Sequence, residues 1–130
     1  MTDAPARNYV GGEWLDAVDG ATMAILNPAT GETIAEVPSG TAADADRAVA
    51  AAAAALPEWL ETTPGERAEA LLRLADAIEG AADELAQLES LNTGKPLMVA
   101  AEEPPVMVDN LRFFAGAARC LEGKAAGEYM

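Results

Sequence analysis

Ile25-Leu26-Asn27-Pro28-Ala29-Thr30-Gly31-Glu32 is the stretch on which the reading of this chain turns. An apolar run from Thr22 to Leu26 enters it, and Thr33-Ile34-Ala35-Glu36-Val37 leaves it. Between them Asn-Pro-Ala-Thr-Gly is a turn: proline presets φ, and Gly31 tolerates a left-handed backbone. Upstream, the chain reads as short strands. Tyr9-Val10 and Glu13-Trp14-Leu15 flank Gly11-Gly12, a pair suited to the positive φ values of a two-residue hairpin. Asp19-Gly20 marks another turn, and Pro38-Ser39-Gly40 stops the return strand. Met1 to Arg7 reads as a loose tail. These strands are too short and too few for a self-sufficient sheet, so they call for a partner.

Downstream the pattern is helical. Thr41 is placed to cap a helix whose first turn carries Asp44 and Asp46, where the helix dipole favours negative charge. The alanine run to Ala55 has high helix propensity, and Val49, Ala52, Ala53 and Leu56 share a face. Pro57 is expected to kink or end this helix, with Trp59 and Leu60 packing just after it. Thr63-Pro64-Gly65-Glu66 then forms a capping box with proline at the first helical position. The predicted stripe continues through Leu71, Leu74, Ala75, Ile78, Ala82, Leu85 and Leu88, while Arg67, Glu69, Arg73, Asp76 and Glu79 decorate the other side. Gly80 predicts a break into two shorter helices. Asn92-Thr93-Gly94-Lys95-Pro96 stops the second, with Gly94 available as a left-handed cap. Leu97 to Glu103 is ambiguous, because Pro104-Pro105 disfavours helix just before it. From Pro105 a last helix carries Met107, Val108, Leu111, Phe114, Ala115, Ala118 and Leu121 on one face, and Gly123 closes it.

Composition narrows function. The 130 residues match one domain with one core and show no linker or repeat. Eight basic and twenty-two acidic residues, with no histidine, give a net charge of −14. Such a surface repels phosphate backbones and anionic lipid, which argues against nucleic-acid or membrane partners. No window reaches the apolar length of a membrane span, and one cysteine makes no intrachain disulfide, so a cytoplasmic location is expected. That residue, Cys120, falls near the carboxyl end of the last helix, where the dipole opposes a thiolate; a structural role is the reading. The acids show no metal-ligand spacing. No glycines follow a strand and open a helix as a dinucleotide or phosphate loop requires, and Lys95 ends a helix rather than starting one. The residues alone offer no active site.

Several elements, in order, resemble the amino-terminal region of NAD(P)-dependent aldehyde dehydrogenases. They are Tyr9-Val10-Gly11-Gly12-Glu13-Trp14, Leu26 to Glu32, the helical segment Arg67 to Leu88 with its Asn92 to Pro96 stop, and Phe113-Phe114-Ala115-Gly116. Residues 109–124 further resemble the aminobutyraldehyde and betaine-aldehyde branch. The resemblance implies an α/β family fold of which this chain supplies the amino-terminal part, short antiparallel strands followed by three or four helices. Residues 1–130 would then be an incomplete nicotinamide-binding domain. The family reaction is cysteine attack on an aldehyde, hydride transfer to NAD or NADP, and hydrolysis of the thioester. Its nucleophile, general base, oxyanion asparagine and cofactor lysine have no matching positions here, so no catalytic or cofactor-binding residue is assigned. The expected partners are the remainder of the fold and, for the full-length protein, further copies in a homo-oligomer. Two minor sites follow by resemblance: carbonyls of Ile25 and Leu26 with Asn92 around a structural monovalent cation, and Glu103, Met107 and Asn110 along a substrate channel. Asn92 stands where relatives carry aspartate. Glu103 would suit an ammonium-bearing aldehyde. The alternative is a non-catalytic module that keeps these helices and binds a partner through exposed edges.

Overall fold

Residues 7–120 are described by the computed structural model, and they fall into two compact units. One runs to Leu60 and includes Leu91–Gly94; the other holds Glu61–Ser90 and the chain from Lys95 onward. Leu121, Gly123 and the greater part of the amino-terminal tail lie outside the described residues.

In the first unit β1 (Asn8–Val10) and β2 (Glu13–Leu15) pair antiparallel, with Val10 opposite Glu13. Gly11 at φ 61° and Gly12 at φ 89° make the two-residue turn that only residues without a Cβ enter freely. The cross-strand pair Tyr9 and Trp14 brings the two rings to 4.8 Å. A second hairpin joins β3 (Thr22–Leu26) to β4 (Thr33–Pro38). Its connection is the Asn27 turn: Asn27 N–H donates to Glu32 O at 2.8 Å, Gly31 N–H to Asn27 O at 2.7 Å, and Ala29 N–H to Asn27 Oδ1 at 2.9 Å. Asn27 thus satisfies both its backbone and its side-chain acceptor within the turn. The register slips between Ile25, opposite Ala35, and Leu26, opposite Thr33. Pro38 closes β4 opposite Thr22 instead of stopping the strand before it; as the terminal residue it forfeits no interior ladder bond. The two hairpins remain separate two-stranded sheets, as their length requires.

Helix α1 (Ala42–Glu61) is not ended by Pro57, one of the two outcomes expected of that residue. Pro57 lies inside it, and the helix runs four residues further. The missing N–H of Pro57 removes one ladder bond, which the strong helix propensity of the preceding alanines tolerates. Trp59 and Leu60 are therefore helical and at least half exposed rather than packed behind a break. The half-buried face is also a different one. Asp44, Ala48 and Ala51 face inward, whereas Val49 is 68% and Leu56 50% exposed. A Cβ at Gly11 would stand 3.7 Å from that of Ala51, so α1 lies against the first hairpin at a spacing that only small side chains permit. Its larger apolar residues point away.

The second unit is helical. Thr63 caps α2 (Pro64–Gly80) with the full capping box: Thr63 N–H donates to Glu66 Oε2 at 2.7 Å, and Glu66 N–H to Thr63 Oγ1 at 3.3 Å. The break falls at Gly80, as expected; Ala81 N–H still reaches Ala77 O, and α3 (Ala82–Thr93) resumes at once. A helical turn, α4 (Leu97–Ala100), fills the ambiguous stretch. Helix α5 (Glu103–Ala117) then starts two residues earlier than its proline signal, with Pro104 and Pro105 in its first turn. First-turn N–H groups have no intrahelical acceptor, so two prolines there remove nothing. Helices α2 and α5 form the main packed pair. Its buried side chains are small: Ala68 and Ala75 on α2, Pro104, Val108 and Ala115 on α5. Leu74, Leu88, Met107 and Phe114, expected in the apolar stripes, are instead 40% exposed or more. An alanine interface lets two helices approach closely and leaves longer side chains outside it.

Candidate functional site

Glu103, Met107 and Asn110 are spaced by four and three residues, so at about 100° per residue they share one face of α5, with Phe114 continuing it. The buried residues Pro104, Val108 and Ala115 stand roughly a quarter-turn round the helix. The candidate face is therefore separate from the α2 contact. Met107 is 40% and Phe114 59% exposed, and Asn110 is exposed. Val106 and Phe113 extend the apolar exposure to the far side, and the Phe113 and Phe114 rings meet edge to face at 5.2 Å. Helix α5 is apolar on both sides, which is the pattern of a helix with cover on two faces.

Glu103 has a partner that its sequence position does not reveal. Lys95 Nζ donates to Glu103 Oε1 and, at 2.8 Å, to Glu89 Oε1. The same lysine's carbonyl accepts from Ser90 Oγ at 2.7 Å. Bonds to Glu103 first, and to Glu89 second, hold the Lys95 ammonium above the usual lysine value. Arg112 makes a similar bridge from α5 to α2, reaching Glu79 Oε2 at 2.7 Å and Asp76 Oδ1 at 3.0 Å.

The cation candidates lie in the first unit. Ile25 and Leu26 end β3, and Asn92 sits in the last turn of α3. The two segments are neighbours, because Gly94 lies against the ring of Pro28: a Cβ at Gly94 would sit 2.9 Å from Pro28 Cγ. Among the described residues no group of three or more His, Cys, Asp or Glu could hold a metal ion. Cys120 is exposed just past the carboxyl end of α5.

Asp44 makes two further contacts that its place in the sequence did not announce. Asp44, expected only to favour the α1 dipole, accepts from Thr41 N–H at 2.8 Å and from Val18 N–H at 2.9 Å, tying the chain after β2 to the helix. The Thr-x-x-Asp spacing was the available signal. Hydrogen bonds from Thr41 hold the Asp44 carboxyl below its ordinary range, and those from Thr63 do the same for Glu66. A depressed folded-state pKa means that each carboxylate stabilises the fold above its unfolded value and loses that contribution as pH falls through the folded one. Both helix starts should therefore fray below about pH 4. Asp44→Asn and Glu66→Gln should each flatten the acid limb of thermal stability followed by circular dichroism; an unchanged limb contradicts the assignment.

Residues 14–129 match the sequence model of the aldehyde dehydrogenase family. The chain belongs to that family. It is 45% identical over 117 residues to the fluoroacetaldehyde dehydrogenase of Streptantibioticus cattleyicolor, covering 89% of this chain and 23% of that enzyme. Among solved structures, PnpE in complex with nicotinamide adenine dinucleotide superposes with TM-score 0.87 at 41% identity, covering 94% of this chain and 25% of that one. A betaine aldehyde dehydrogenase double mutant from Staphylococcus aureus, bound to NAD+, gives TM-score 0.85 at 33% identity over 88% of this chain and 23% of that one. The order of short antiparallel strands and then helices matches the amino-terminal part of the aldehyde dehydrogenase fold. The chain spans about a quarter of the length of these relatives. No helix among the described residues is long and apolar enough to cross a membrane.

Proposed function

We propose that these residues serve as the amino-terminal part of the nicotinamide-binding domain of an NAD(P)-dependent aldehyde dehydrogenase, and that they are catalytically inert without the remainder of the fold. The observation that carries this reading is a family match over residues 14–129 within a chain that spans 23% of a relative 45% identical to it. The exposed faces support it. Val49 and Leu56 on α1, and Phe113 and Phe114 on α5, are large apolar side chains at helix faces, suited to burial against further layers. In this reading the missing layers supply the nucleophilic cysteine, the general base and the cofactor contacts. Glu103, Met107 and Asn110 line one wall of the aldehyde channel, and the Ile25 and Leu26 carbonyls with Asn92 hold a monovalent cation. The full protein assembles as a homo-oligomer. The relatives' names point to more than one aldehyde, an uncharged halogenated one in fluoroacetaldehyde and a cationic one in betaine aldehyde.

Fusion tests the proposal. This chain, replacing the corresponding first quarter of the fluoroacetaldehyde dehydrogenase, should yield an enzyme that reduces NAD in the presence of an aldehyde. A fusion that folds, as judged by its circular dichroism and unfolding transition, yet forms no NADH would overturn the assignment.

A further inference from the structure

The carboxylate that opens α5 is already engaged. Glu103 is the only acid among the four residues of the candidate face, the others being Met107, Asn110 and Phe114. Its Oε1 accepts from Lys95 Nζ, and the lysine side chain is only 29% exposed. Lys95 is held in turn from the other side. Glu89 on α3 takes a second hydrogen bond from Nζ, and Ser90 Oγ ties the lysine's own carbonyl to the same helix end. The ammonium therefore sits at a fixed place beside Glu103. A bare carboxylate on a channel wall attracts a passing cation, because its field falls slowly with distance in a poorly hydrated site. With an ammonium in direct contact the wall is no longer a bare acid. Lys95 adds a repulsion for a nearby cation that offsets one of its two carboxylate partners, so the Glu89–Lys95–Glu103 cluster carries one net negative charge in place of two. Of the three charged groups only Glu103 stands on α5; the second carboxylate hangs from α3.

We propose that Lys95 sets the charge preference of this site: by offsetting one of the two carboxylates it touches, it weakens the preference of the α5 wall for ammonium-bearing over uncharged aldehydes. This rests on the reading of α5 as a channel wall. It reduces the preference that Glu103 suggests when read alone. Lys95 acts here as a positioning residue that works through Glu103 and need not touch the aldehyde.

The fusion described above provides the test, with betaine aldehyde compared with its uncharged carbon isostere, tert-butylacetaldehyde. The quantity read is the ratio of the two kcat/KM values. Lys95→Met frees Glu103 and should raise the ratio in favour of the cation by about tenfold, the scale of one nearby partly screened charge. Adding Glu103→Gln to Lys95→Met should return the ratio to its starting value, and Lys95→Arg should preserve it. A purely structural lysine would lower both kcat/KM values together and leave the ratio unmoved, and that result overturns the proposal. If Lys95→Met does not fold, Glu103→Gln alone decides. The ratio should then fall by about tenfold, because the Lys95 ammonium stays beside the channel without the carboxylate that offsets it; an unmoved ratio would mean that the charge of this cluster does not reach the aldehyde, and overturns the proposal. A folded but inactive unsubstituted fusion overturns the channel reading, and this inference with it, whereas an active fusion with an unmoved ratio overturns this inference alone.

Discussion

Gly94→Ala should unfold the first unit at a markedly lower urea concentration, with a loss of about 2–4 kcal/mol. Two effects add at this position. Gly94 has φ 77°, a left-handed conformation that is strained for any residue with a Cβ, by about 1–2 kcal/mol. The new methyl would also stand 2.9 Å from Pro28 Cγ, inside van der Waals contact. Pro28 cannot readily yield. Its ring is fixed to the backbone, and that backbone is locked by the hydrogen bonds of Asn27 to Glu32 O and Gly31 N–H. The clash can be separated from the strain by a double-mutant cycle. In a Pro28→Ala background the ring carbon is gone, and Gly94→Ala should then cost only the backbone term. Trp14 and Trp59, the two tryptophans, both lie in the first unit, so their fluorescence reports its unfolding. Equal penalties in both backgrounds would show that the turn and the helix stop do not press on each other.

Ala75→Leu should be the most damaging of the apolar exchanges in the second unit. Ala75 is fully excluded from solvent on α2, in a helix whose main partner, α5, buries Val108 and Ala115. Three carbons added at a position fully closed to solvent press on its packed neighbours, so the helices separate or the side chain leaves its rotamer, at about 1–3 kcal/mol. The neighbouring Leu74 gives the control. It is 49% exposed, and Leu74→Ala should cost less than about 1 kcal/mol, although it deletes more hydrophobic surface. Helical ellipticity during urea unfolding would read both. A larger loss for Leu74→Ala than for Ala75→Leu would contradict an alanine-lined helix pair.

These contrasts mark where the sequence was informative. Turn chemistry was legible: Gly11-Gly12, Asn27 to Gly31, the Thr63 capping box, the Gly80 break and the left-handed Gly94 all behave as local physics dictates. Local signals work because the partners lie within a few residues. Packing was less legible. Apolar periodicity ranked Leu74, Leu88, Met107 and Phe114 as core, while the buried positions belong chiefly to alanine, whose small side chain carries almost no periodic signal. Periodicity marks which residues seek burial, and here several of them have no cover among the described residues. Pro57 and the Pro104-Pro105 pair misled for a related reason. A proline at a helix start removes no bond, and one inside a long alanine-rich helix removes too little to end it. The Lys95 bridge lay outside sequence reasoning altogether, since it joins residues six and eight positions away across a reversal of the chain.

The central claim is that this chain carries the start of an aldehyde dehydrogenase and no chemistry of its own. Its most direct test is NADH absorbance when the purified 130-residue chain is given NAD and an aldehyde, first alone and then mixed with a relative's chain lacking its first quarter. The account predicts no aldehyde-dependent signal from the chain alone and a rising one once the remainder is supplied. Steady NAD reduction by the chain alone would contradict it.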